Sequence, residues 1–215
     1  MTVLGIETAS DVCSVGLVVG DKVTERSIRE TRVHSEMLLT LLEEVLSEAG
    51  VAFKDVEGLA LSSGPGSFTG LRIGASTAKG LVAARPMTFV LVPTFDGIVR
   101  AYRFEQPGVK ELLVCLDARQ DEWYVHVEDD SGIKRAAEVM STGDVLTLGT
   151  GKVVLTDAPS RFPAGFRIFD VRSWCRGGSV ALLGRELIAQ GRKDNVTSFE
   201  PAYRKEFRVR SGNSR

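Results

Sequence analysis

Histidine and cysteine are scarce in this chain, at two and three of 215 residues. His34 and His126 form no H-x-x-x-H or H-E-x-x-H pair, and Cys13, Cys115 and Cys175 lie far apart with no C-x-x-C, so no zinc site or disulfide framework is encoded. The odd cysteine count points instead to a reducing cytoplasm, with each thiol acting as a small buried hydrophobe. No stretch of eighteen uninterrupted apolar residues occurs, which leaves no membrane-spanning helix to propose. The apolar start, MTVLGIETASDVCSVGLVV, has no basic flank and is broken by Glu7 and Asp11, so it reads as mature structure and not as an export signal. A formal charge of −1 gives no global electrostatic drive toward nucleic acid or an anionic membrane. Two catalytic signatures are missing as well. No Gly-Lys-Ser/Thr follows the glycine-rich loop, which excludes a P-loop, and GPGSFTG lacks the G-x-S-x-G elbow, so Ser67 reads as a helix cap and not as a nucleophile.

What is present is glycine in informative places. Three strand-like runs, 2–7, 13–20 and 22–30, form a meander, with Gly20-Asp21 marking the second turn. SEMLLTLLEEVLSEAG (35–50) then opens on the capping residue Ser35 and stops at a glycine, as a helix does. A strand over 56–66 feeds a turn, a second helix covers 67–84, a strand covers 87–94, and a helix with a linker covers 95–108. In the second half the clearest helix is 179–191, with Ser179 as its cap after the glycine pair of RGGS.

Around residue 110 the text restarts. LLVCLDARQDEWYVHVEDDSG lies over VLGIETASDVCSVGLVVGD at an offset of 110, so that Asp117 falls on Glu7 and Val125 on Val15. Both copies read as strand, acid, turn and strand. This predicts a duplicated α/β fold of the sugar-kinase and actin type, with a first lobe over 1–105 and a reduced second lobe over 106–215. Fold analogy of this kind does not establish nucleotide use.

If the cleft between the lobes holds a nucleotide, Glu7, Thr8, Ser10, Asp117 and Arg119 are the residues to hold it. Glu7 stands where an aspartate would position Mg²⁺, and its extra methylene displaces the carboxylate by more than about 1 Å. Arg119 either fills the gap a phosphate needs or binds an anion itself. The competing reading is structural: hydroxyls in turns satisfy local backbone groups, and His34 caps a helix or lies on the surface.

The second helix repeats Gly70, Gly74, Ala78 and Leu81 on one stripe. Each interior glycine costs roughly 0.5–1 kcal/mol relative to alanine, which a close backbone contact can offset. The first helix has an apolar arc of roughly 200°, wider than packing on one sheet requires. Either this helix packs on both the sheet and the second helix, or the two helices together offer a surface to another subunit.

GIETAS, VHSEMLLTLLEEVLSEAGV (33–51), SSGPGSFTGLRIGASTAKGL (62–81), CLDARQDEWYV (115–125) and EPAYRKEF (200–207) resemble the TsaB (YeaZ) family. The resemblance implies an actin-like fold and a non-catalytic subunit of the bacterial machinery that makes N6-threonylcarbamoyladenosine in tRNA. It further implies pairing with the catalytic paralogue TsaD through the two first-lobe helices, docking of the ATPase TsaE on that pair, and homodimerisation when alone. Contact with tRNA would come through the complex, no cofactor would be resident, and any nucleotide would sit at the complex interface. Carried over by position, the partner-facing set is Met37, Leu41, Gly70, Ile73, Gly74 and Thr77. The alternative is an active ATP-dependent kinase or hydrolase that uses Glu7 and Asp117. The basic tail YRKEFRVRSGNSR (203–215) raises a third reading, direct tRNA binding.

Overall fold

The computed structural model describes residues 1–30, 33–129 and 131–201, and the side chain of Lys134 is left out of account. The basic tail lies outside the described residues.

The meander forms β1 (Thr2–Glu7), β2 (Val12–Val19) and β3 (Lys22–Arg29), followed by α1 (His34–Ala49), β4 (Gly58–Ser62), α2 (Phe68–Ala84), β5 (Thr88–Val92) and α3 (Thr94–Glu105). The second half runs β6 (Leu112–Arg119), β7 (Glu122–Asp129), β8 (Gly132–Ser141), α4 (Thr142–Gly149), β9 (Val153–Thr156), β10 (Arg167–Asp170) and α5 (Gly177–Ala189). The sheets are ordered β3-β2-β1-β4-β5 and β8-β7-β6-β9-β10, the same topology twice. The 110-residue offset seen in the sequence maps β1 onto the start of β6 and β2 onto β7. The second copy is reduced where the first has α2, since only a 3-10 turn at Pro159–Arg161 joins β9 to β10. This is the duplicated, two-lobed α/β arrangement of actin-like proteins.

Alternation along the strands sets five layers. Leu4, Ile6, Leu59 and Leu61 face α1 and α2, in one core with Leu38, Leu42, Val45, Ala75 and Ala78. Val3, Ala60, Val90 and Val92 face the other way, onto Val180, Leu183 and Leu187 of α5. On the second sheet, Leu112, Val114 and Leu116 pack under Phe95, Ile98 and Tyr102 of α3, and Leu113, Cys115 and Trp123 pack with Val145 of α4. Each half therefore lends a helix to the other half's sheet: α3 from the first half lies on the second sheet, and α5 from the second half lies on the first. An Arg100–Glu186 ion pair at 2.9 Å ties the two helices together.

The local punctuation partly departs from expectation. Gly50 ends α1 in the left-handed conformation (φ 66°), and Ser67 caps α2 through Gly70 N at 3.2 Å, as the sequence suggests. Ser35 and Ser179 do not cap. α1 starts one residue earlier, at His34, and α5 starts at Gly177, because each helix entry is held by tertiary contacts. His34 Nε2 lies 3.0 Å from the Ser10 carbonyl, so it carries the proton there. Gly177 N donates to Ser14 Oγ at 2.9 Å and Gly178 N to Glu25 Oε2 at 2.7 Å. His34 is thus neither a cap nor a surface residue but a buried tie between α1 and the first turn.

The approach of α5 to the sheet is backbone on backbone. Gly5 and Gly16 are cross-strand partners, and a Cβ on either would overlap the main chain of Gly177, Gly178 or Ala181. Gly16→Ala is therefore expected to destabilise the chain by about 3 kcal/mol or more in denaturant titration. In contrast, Gly80 lies in the interior of α2 with open space around it, and Gly80→Ala is expected to stabilise by about 0.5–1 kcal/mol. Similar losses at both positions would contradict this packing.

Candidate functional site

The first turn, between β1 and β2, is closed over by the glycine loop. Glu7 is 1% exposed and Thr8 fully buried. Glu7 Oε1 accepts from Ala9 N at 2.6 Å. Ser67 N donates to the Ala9 carbonyl at 2.6 Å, and a Cβ on Gly66 would overlap that same carbonyl. A Cβ on Gly70 would overlap the Thr8 carbonyl oxygen, and one on Gly74 the Thr8 hydroxyl. The stripe Gly70, Gly74, Ala78 therefore faces inward, which corrects the expectation that it makes room for another subunit's helix. Its close contact is with the chain's own first turn. Leu41, at 4% exposure, likewise belongs to the interior. Ser10 Oγ accepts from Val12 N at 3.0 Å, a local turn bond. Among the described residues Thr8 Oγ1 has no hydrogen-bond partner, and it lies buried beneath α2.

Burial pushes the Glu7 carboxyl up to about 7, against the opposing hydrogen bonds from Ser62 and Ala9 N. A carboxyl that is half neutral near pH 7 and sealed from solvent is a poor ligand for a hard cation. The same carboxylate helps to raise the thiol of Cys13, for which burial is the larger cause, up to about 12.

The matching turn of the second sheet, between β6 and β7, is filled by an arginine that sequence reading did not single out. Arg161 donates to Asp117 Oδ1 at 2.7 Å and to Asp121 Oδ1 at 3.0 Å, and its guanidinium lies 4.2 Å over the Trp123 ring. Thr142 Oγ1 accepts from Arg161 and from Trp123 Nε1, both at 2.8 Å. Asp117 also accepts from Arg119 N at 2.9 Å, while Asp117 N donates to the Asp157 carboxylate at 2.9 Å. Arg119, Gln120 and Asp121 all have left-handed backbone (φ 63°, 55° and 62°), so the tight reversal is made without glycine. The Arg161 side chain thus meets both acids of this turn. The signal available in the sequence was weak: an arginine 44 residues beyond Asp117, in a segment with no motif. His126 is buried in β7, and that burial lowers its pKa to about 4. Among the described residues no group of three or more histidine, cysteine, aspartate or glutamate side chains is placed to hold a metal ion.

The outer surface of α1 and α2 is not covered by the second sheet. Met37, Ile73 and Thr77 are half-buried there. The apolar arc of α1 is largely spent on the core, through Leu38, Leu41, Leu42, Val45 and Leu46, and what remains outward is Leu39, 53% exposed, beside Glu36, Glu43 and Glu44. At the start of α2, Phe68 is 52% exposed with the Arg72 guanidinium 4.8 Å above its ring. Neither Leu39 nor Phe68 was in the partner-facing set read from the sequence, because exposure of one apolar residue among many is not visible in a periodic pattern.

A family model described as TsaD, tRNA N6-adenosine threonylcarbamoyltransferase, matches residues 27–150, more than half of the chain. The chain belongs to this family, and within it its similarity is to the TsaB (YeaZ) proteins. The tRNA threonylcarbamoyladenosine biosynthesis protein TsaB of Escherichia coli is 29% identical, with 94% of each chain covered. Its counterpart in Haemophilus influenzae is 31% identical over 124 residues, covering 58% of this chain and 52% of that protein. The solved structure of YeaZ from Pseudomonas aeruginosa superposes with a TM-score of 0.79 at 23% identity, over 94% of this chain and 99% of that one, which shows a shared fold. Both lobes here are built on strand-acid-turn-strand units. No helix of the described residues is long and apolar enough to cross a membrane.

The buried Glu7 makes stability depend on pH. Its folded pKa of about 7 lies above its ordinary value of 4.5, so between those limits the folded chain holds a proton that the unfolded chain has released. Stability contributed by the neutral form is full below pH 4.5 and is lost as pH rises toward 7. Glu7→Gln should remove this slope, with a gain relative to the parent chain of up to about 3 kcal/mol at pH 7.5 in urea titrations. Parallel pH profiles for the two proteins would contradict the burial argument.

Proposed function

We propose that this chain serves tRNA threonylcarbamoyladenosine biosynthesis as a non-catalytic subunit that pairs with TsaD and activates it, presenting the outer face of α1 and α2 as the contact surface. One observation carries this reading: both acid turns of the cleft are occupied by the chain's own groups, Ala9 N on Glu7 and Arg161 on Asp117, whereas α1 and α2 form an outermost layer. The names of the TsaB relatives and the match to a TsaD family model support the pathway and the partner. The contact set is Met37, Ile73 and Thr77, extended by Leu39 and Phe68. Leu41, Gly70 and Gly74 act from beneath by setting how closely α1 and α2 lie on the first lobe.

In this reading the free chain pairs with a second copy through the same face, TsaE joins the heterodimer, and tRNA is contacted through the complex. A nucleotide, if one is used, sits where the subunits meet. The competing kinase or hydrolase reading requires a turn carboxylate to face solvent and metal. Glu7 is sealed and Asp117 is engaged with a guanidinium, so the geometry does not favour it.

Because Gly74 lies against Thr8, a bulky residue there would damage the fold and not only the interface. The informative variants are Leu39→Glu, at an exposed position, and Thr77→Arg. Each is expected to leave the unfolding midpoint of the isolated chain nearly unchanged while weakening TsaD binding at least tenfold, about 1.4 kcal/mol, by titration calorimetry. Undiminished binding in both variants would refute the interface, and stoichiometric Mg-ATP binding with turnover by the isolated chain would favour the enzyme reading.

A further inference from the structure

In two-lobed α/β proteins relative motion of the lobes is the default, and closure about a hinge is how many of them respond to ligands. The mouth of this cleft is bridged instead. Arg172, which follows β10, donates through Nε to both carboxylate oxygens of Asp11 in the first turn, at 2.8 Å each. Its Nη1 reaches the two oxygens of Asp170 at 3.1 and 3.2 Å, and its backbone N–H donates to Asp170 Oδ1 at 3.1 Å. Asp170 in turn accepts from Arg29 Nη2 of β3 at 2.7 Å. The result is a chain of alternating charge, Asp11–Arg172–Asp170–Arg29, that starts on the first sheet, crosses to the second and returns to the first.

An isolated exposed ion pair contributes little. This chain differs in three respects. Arg172, Asp11 and Asp170 are only 21%, 32% and 33% exposed. The central guanidinium meets two carboxylates, and its fork geometry suits such contacts. The two carboxylates also flank one cation, so neither charge is left facing a like charge. Burial works to raise the pKa of Asp170, and this is outweighed by the Arg172 backbone N–H and the guanidiniums of Arg29 and Arg172, which hold it below the ordinary aspartate value. Beneath the ion chain, Gly177 and Gly178 rest directly on the backbone of Val15 and Gly16, so the element that follows Arg172 has no room to slide.

We propose that the Asp11–Arg172–Asp170–Arg29 chain is a latch that holds the two lobes at one opening angle and turns a hinged architecture into a rigid body. The outer face of α1 and α2 is then presented in a single orientation, independent of what lies in the cleft. This inference stands apart from the choice of partner, because it concerns the isolated chain.

The latch is tested by paired spin labels on the outermost layers, at Glu44→Cys on α1 and Thr147→Cys on α4, both exposed positions. The three native cysteines are buried, and burial raises their thiol pKa values, up to about 12 for Cys13 and Cys115, so labelling is confined to the introduced sites. The labelled parent chain is expected to give one narrow distance distribution. Arg172→Met should broaden it at least twofold and accelerate amide exchange over 8–14 and 170–176 at least tenfold, with near-ultraviolet dichroism retained. If Arg172→Met does not fold, Asp11→Asn and Arg29→Met, which each remove one link, carry the same measurement. A broad distribution in the parent chain, or widths in the folded variants equal to the parent's, would overturn the latch whatever the outcome of TsaD binding.

Discussion

Main chain touching main chain is the constraint on which this molecule depends. At Gly5 and Gly16 on one side and Gly177 and Gly178 on the other, two segments more than 160 residues apart in sequence meet with no side chain between them. The same device operates at the first turn, where Gly66 and Gly70 rest on the carbonyls of Ala9 and Thr8. Such contacts tolerate no added methyl group and bring neighbouring polar groups into fixed register: Ser14 with Gly177 N, Glu25 with Gly178 N, Ser67 N with the Ala9 carbonyl. Loss of side-chain volume is offset by backbone hydrogen bonds formed away from water, which are costly to leave unmade.

From that constraint follows the state of the cleft. With α2 pressed onto Thr8, the Glu7 carboxyl is sealed in and half neutral near pH 7. With the loop between β9 and β10 shortened to a 3-10 turn, Arg161 at its end reaches Asp117 and Asp121. The acids of the two matched turns, Glu7 and Asp117, are thus met by internal partners. What the fold leaves outward on α1 and α2 is a helical layer on which Leu39 and Phe68 stand among Glu36, Glu43, Glu44 and Arg72, the face proposed above as the contact surface.

In the first half the succession of elements was readable from the amino acids, as was the duplication, whereas β8, α4, β9 and β10 were not read. Alternating apolar residues, glycine stops and the 110-residue offset depend on local chemistry, and they recur in the structure. The family, too, was readable, because the glycine segment and its flanks form a long ordered pattern. The site was readable only in part. Glu7 and Asp117 were picked out by their matched positions, but Arg161, Glu25 and Arg172 carry no motif, and their roles arise from pairings across 44, 153 and 161 residues.

The direction in which the α2 glycines face shows the division most plainly. Spacing along one chain states that Gly70, Gly74 and Ala78 share a side of a helix, since that follows from the helical repeat alone. Whether that side meets a partner or the chain's own first turn depends on the rotation of the helix about its axis, and that rotation is set by long-range packing of Ala75 and Ala78 over the sheet. Local chemistry therefore settled which elements exist and which residues travel together, while the assembled fold settled what each face touches, because contacts between distant segments depend on where all the layers come to rest.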